Sequence, residues 1–129
     1  MKKAVLLGLA VAIGLSANAF AADDPSIEGQ QRADIKASMA AHIETSKYKD
    51  VYLIFDAVAG GLKRLNFDHV HDGIVRKGEF FVSCADFYDA AERLYDIDFL
   101  VVEEDGKYRV VQSLVHKIDG DKRKYHVEN

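Results

Sequence analysis

The chain has 129 residues, room for one small domain, and carries neither internal repeats nor a low-complexity linker. Acidic side chains outnumber basic ones, 21 to 17. That argues against nucleic acid as the main partner, because a phosphate footprint needs a basic patch. A single cysteine excludes an internal disulfide.

The N-terminus reads as a targeting segment. Met1-Lys2-Lys3 is a short basic start, and residues 4–15 form an apolar run too short to span a bilayer comfortably. Ala19-Phe20-Ala21 fits a small-x-small cleavage site, with Ala17-Asn18-Ala19 as the alternative. The expectation is export, loss of residues 1–21 and a single domain over residues 22–129, with no membrane anchor left. No cysteine lies near the cleavage site, which disfavours a lipid-anchored lipoprotein. The Lys-Lys start points to the periplasm, with secretion as the alternative. In an oxidising compartment Cys84 is buried, paired with another molecule or a ligand. Burial is the reading its residue type favours. Val82 and Leu100 would flank it on an apolar face and leave it unreactive.

Asp24-Pro25-Ser26 predicts a helix start, since Asp24 can cap and Pro25 suits the first helical position. The helix runs to about Thr45, with Ile27, Ile35, Met39, His42 and Ile43 near one face and Arg32, Lys36 and Glu44 elsewhere. Gly29 weakens its first turn. His42 reads as a boundary residue, with no ligand partner at helical spacing.

Strands follow. Residues 51–55 are β-branched and aromatic. Gly60-Gly61 breaks the pattern, and residues 62–70 form a second strand, with His69 and His71 continuing one face. Asp72-Gly73 and Lys77-Gly78 are turn signals. Residues 79–102 then read as two strands around a loop at Asp89-Ala90-Ala91-Glu92-Arg93. A loop centred near Ala91 sets Asp86 opposite Asp96 and Cys84 opposite Asp98. Asp105-Gly106 is a hairpin turn that pairs residues 95–102 with 108–117. Its register faces Asp98 with Ser113, Asp96 with Val115 and Tyr95 with His116. Asp119-Gly120 folds residues 123–127 back, with Tyr125 opposite Leu114 and Lys124 opposite Val115.

Helix first and strands after imply an α+β fold: an N-terminal helix packed on a curved antiparallel meander sheet of about five or six strands. Phe81, Phe87, Tyr95, Phe99, Tyr108 and Tyr125 form the floor under the helix. The arrangement resembles the cystatin-like or nuclear-transport-factor-like class, in which a curved sheet wraps a helix. The Gln-x-Val-x-Gly loop of cystatin inhibitors is absent; Gln112-Ser113-Leu114-Val115-His116 is not it. An architectural resemblance transmits no function.

Three features carry functional meaning. Phe80, Val82, Leu100, Val102 and Val111 leave the second sheet face apolar, which predicts a protein partner, a small apolar ligand or a homodimer. Asp86, Asp96 and Asp98 gather on one face beside Cys84, and like charges directly opposite are destabilising unless a cation or proton intervenes. Ion pairing with Lys117, Lys124 or Arg109 at a solvated sheet end is the simpler account of that cluster. His69-x-His71 has a spacing metal sites use, with His116 as a third ligand only if the sheet order brings it near. Two histidines at a strand end are the simpler account there.

No catalytic residue is assigned. Ser83, Cys84 and Ser113 are candidate nucleophiles and the three histidines candidate bases, but a triad is recognised by geometry. No phosphate loop, CxxC or CxxCH motif is present, so no cofactor is implied beyond a divalent metal. The leading reading is a small exported, non-enzymatic binding domain. A periplasmic metal-binding protein using histidines and carboxylates is the alternative. A small hydrolase or isomerase with a pocket between helix and sheet is the further one.

Overall fold

A computed structural model describes residues 22–124. One helix, α1 (Gly29–Thr45), precedes a seven-stranded antiparallel sheet. The strands are β1 (Lys47–Tyr48), β2 (Val51–Asp56), β3 (Gly61–Lys77), β4 (Phe80–Tyr88), β5 (Leu94–Glu104), β6 (Lys107–Ile118) and β7 (Asp121–Lys122), and each pairs with the next. The fold is an α+β meander with more strands than expected, because β1 is a two-residue addition at one edge. Among the described residues no helix is long and apolar enough to cross a membrane.

The helix starts later than its capping signal. Asp24 caps a turn instead: its Oδ1 accepts the Ser26 N–H at 2.9 Å and the Ser26 hydroxyl at 2.6 Å. Gly29 sits at φ +55°, a left-handed angle that a continuous right-handed helix cannot contain, so α1 can begin only there. From that point Ile35, Met39 and Ile43 recur every fourth residue and bury. Arg32 ties the preceding segment down. Its Nε donates to the Ile27 carbonyl at 2.6 Å and a terminal nitrogen to Asp23 at 2.8 Å. Asp23 also accepts the Ile74 N–H at 3.0 Å. These two bonds, that from Arg32 foremost, hold the Asp23 carboxyl below the usual carboxylate range.

Asp72-Gly73 is not a turn. β3 runs straight through it as one strand, and only Lys77-Gly78 reverses the chain, with Gly78 at φ +56°. The ladder to β4 slips between Phe67 and His69 and again between Val70 and Ile74. These are bulges, which bend a strand and sharpen its twist. The bent sheet brings β2 round to β6, where the Tyr52 hydroxyl meets the Ser113 hydroxyl at 3.0 Å. Arg123 likewise reaches the buried Asp56 at 2.7 Å.

Inside the curve lies one core. Phe81, Phe87, Tyr95 and Phe99 are buried as expected, joined by Tyr52, Leu65 and Ile74, with Tyr108 packed at the margin. Tyr52 stacks on Phe87 at 4.8 Å between ring centroids. Tyr125 lies outside the described residues.

The hairpin at Asp105-Gly106 has both residues at positive φ, 52° and 75°, the backbone a two-residue turn of this type needs. Its register holds only from Val101 to Glu104. Bulges beyond that point give Asp98–Leu114, Asp96–Lys117 and Tyr95–Ile118 in place of the expected pairs. At the last turn Asp121 and Lys122 pair with Ile118 and Lys117. The Arg123 N–H then donates to the His116 carbonyl at 2.6 Å, so β7 forms earlier than the expected strand.

Candidate metal centre

The site grows from the β4–β5 pairing. A loop held by Asp89, whose Oδ1 accepts the Ala91 and Arg93 N–H groups, both at 2.9 Å, joins the strands in the expected register. Cys84 pairs with Asp98 and Asp86 with Asp96. Because side chains alternate along a strand, these four share the outer face, away from the aromatic core.

Bulges in the flanking strands deliver histidines to that face. On β6 the ladder steps from Val115 opposite Ile97 to Lys117 opposite Asp96, which leaves His116 as the extra residue. Its Nδ1 lies 3.4 Å from Asp98 Oδ1 and 3.9 Å from Asp96 Oδ2. On β3 residues 71–73 fall within the slipped stretch, and His71 Nε2 meets Asp86 Oδ1 at 2.7 Å. His69 Nδ1 meets Asp68 at 2.6 Å, while its Nε2 lies 3.9 Å from Asp86.

Among the described residues three overlapping groups result, each with its ligand atoms within 4.8 Å of one another: His69, His71 and Asp86; His71, Cys84 and Asp96; Asp96, Asp98 and His116. The three histidines of the sequence reading do not converge on one point. His69 and His71 share Asp86, whereas His116 belongs to the carboxylates at the other end. Cys84 joins the middle group. It is buried, as its residue type suggested.

The acidic cluster is not at a solvated sheet end. Asp98 and His116 are buried. Of the cations named for it, Lys117 stands 3.9 Å from Asp96 and Arg109 instead pairs with exposed Glu104 at 3.5 Å. Lys124 is exposed. Asp96 Oδ1 is buried with no hydrogen-bond partner among the described residues. Burial pushes the Asp96 carboxyl above its usual range. His71, His116 and Lys117 oppose that, and Asp86 adds to it.

The other candidates fall elsewhere. Ser83 donates to the Gly73 carbonyl at 2.7 Å, and Ser113 is engaged by Tyr52. Of Phe80, Val82, Leu100, Val102 and Val111, only Val111 is exposed, at 45%, and Val82 is 4% exposed. A cleft of about 330 Å³ touches Cys84 from the side of Gly73, Val75 and Ala22. A second, of about 300 Å³, opens between the end of α1, β2 and β6, lined by His42, Tyr52 and Ser113 among others.

No known family model, curated protein or solved structure matches the chain significantly.

Proposed function

We propose that this protein is a small, exported, non-enzymatic metal-binding domain that holds a divalent transition-metal ion on the outer face of its sheet. The observation that carries the reading is the convergence of His71, Cys84 and Asp96, with ligand atoms within 4.8 Å of one another. Metal–ligand bonds of about 2.0–2.3 Å in a tetrahedral zinc site put ligand atoms roughly 3.3–3.8 Å apart. Small rotamer changes therefore close the group onto an ion. Imidazole, thiolate and carboxylate together suit a borderline ion such as Zn²⁺ better than the hard Mg²⁺ or Ca²⁺. Asp86 stands behind His71, where a carboxylate orients a ligating imidazole. A bound cation also offsets the repulsion between Asp86 and Asp96, which face each other across the ladder. An apolar partner on the second sheet face has less support, since Val82 is already buried.

Calorimetric titration of the reduced protein with ZnCl₂ tests this. The expected result is one ion per chain with a Kd below about 1 µM. His71→Ala and Cys84→Ala should each weaken it by about 100-fold. Absence of binding at about 100 µM Zn²⁺ overturns the reading. Export is tested separately: protein recovered from the periplasm should begin at Ala22, and a retained Met1 contradicts it.

A further inference from the structure

We infer that the ion reaches this site through an outer station of His69, His71 and Asp86, where His69 serves to capture the ion and not to hold it. The inference rests on the metal reading above.

The three ligand groups form a path because they share members. His71 belongs to the first and second groups and Asp96 to the second and third. Exposure falls along that path. The His69 side chain is 58% exposed, His71 20%, Asp96 13% and Asp98 0%. An ion arriving from solvent therefore meets His69 first. The His69 and His71 ring centroids are 5.4 Å apart, and Asp86 lies near the Nε2 of both rings, at 3.9 and 2.7 Å. Moving inward then exchanges one ligand at a time, His69 for Cys84 and Asp86 for Asp96, with His71 kept throughout. No step needs a bare ion, whose dehydration would be the main barrier. Asp68 holds one ring nitrogen of His69 at 2.6 Å and leaves the other facing Asp86. Acidic side chains along the path add a field that draws cations in.

A residue on the route but absent from the final site has a kinetic signature. It lowers the barrier for entry and exit alike, so its loss slows both and leaves their ratio unchanged. A true ligand of the final site behaves differently, because its loss mainly speeds release.

Stopped-flow mixing of protein with Zn²⁺ alone, followed by release to a chromophoric chelator, reads both rates. His69→Ala should slow association and dissociation about tenfold each, with Kd changed less than about twofold. His69 is exposed, so the variant should fold. Unchanged rates overturn the inference. So does a higher Kd at an unchanged association rate, which would make His69 a ligand of the resting site. Slowing in Val75→Trp, at the cleft beside Cys84, with His69→Ala at wild-type rates would place the entrance there and equally overturn it. Failure of the wild type to bind Zn²⁺ removes the metal reading itself, a result separable from the other three.

Discussion

Along β4 and β5 the side chains alternate between two faces that are built from different chemistry. Phe81, Ala85, Phe87, Tyr95, Ile97 and Phe99 point inward and are at most 2% exposed. One residue along, Cys84, Asp86, Asp96 and Asp98 point outward, yet Cys84 and Asp98 are also buried. Burying apolar area favours folding by about 25 cal/mol per Å². Burying carboxylates does the reverse unless they are paired. The inner face therefore supplies stability, whereas the cost of the outer face turns on its pairings, His71 with Asp86 and His116 beside Asp98. The comparison also locates the expense: Asp86 opposite Asp96 sets two acids directly across one ladder.

The largest effect should come from the inner face. Phe99 is fully buried and contacts His42, Tyr52 and Phe87 ring to ring. Phe99→Ala should cost about 3–5 kcal/mol, read from urea unfolding of the metal-free protein. A loss below about 1 kcal/mol would mean that the aromatic face is not the centre of the core. The outer face should respond in two opposite directions. Asp96→Asn keeps the shape and removes one of two facing charges, so the metal-free protein should gain up to about 1 kcal/mol. The same variant loses a ligand and should bind Zn²⁺ at least about tenfold more weakly. Destabilisation together with unchanged affinity would erase the contrast between the faces.

Much of this contrast was legible in the sequence, and the reason is local. Strict alternation in Tyr95-Asp96-Ile97-Asp98-Phe99 assigns the faces, and the short loop at Asp89–Arg93 sets the register, so Asp86–Asp96 and Cys84–Asp98 follow from counting. The histidines were legible as candidates but not as placed, because bulges put them there. Counting from Asp105-Gly106 without a bulge sends Asp98 to Ser113 and pairs His116 with Tyr95. Two slips turn His116 onto the carboxylates instead. The traces in the sequence are two stutters, Val110-Val111 and Leu114-Val115, where apolar residues stand side by side and break the alternation. On β3, Asp72-Gly73 has the composition of a turn, but Arg32 and Lys36 from the helix bind Asp72, a tertiary contact that local chemistry cannot foretell. The hairpin from β1 to β2 was missed because Lys49 and Asp50 adopt φ of 50° and 66° with no glycine. The helix start was misplaced because Asp24-Pro25-Ser26 satisfies a capping rule that Gly29, three residues after Ser26, overrides.

The smallest predicted effect tests the edge of the inner face. His42 lies near the apolar stripe of α1, with its ring 5.8 Å from Phe99 and 6.3 Å from Tyr52. Burial among these rings disfavours the imidazolium and lowers the His42 pKa below its ordinary 6.5. A histidine whose folded value is depressed takes up its proton in the unfolded chain first. Stability is then fully present above pH 6.5, is lost as pH falls below that value, and stops falling once the folded-state value is passed. Thermal unfolding of the metal-free protein at pH 7.5 and 5.0 should show a larger loss for the wild type than for His42→Gln, which cannot titrate. The other histidines are common to both proteins and drop out of the difference. Parallel losses would place His42 in solvent in both states. A larger loss in the variant would mean that the ring gains a partner on protonation, which would make that end of the helix a polar boundary and not the margin of the core.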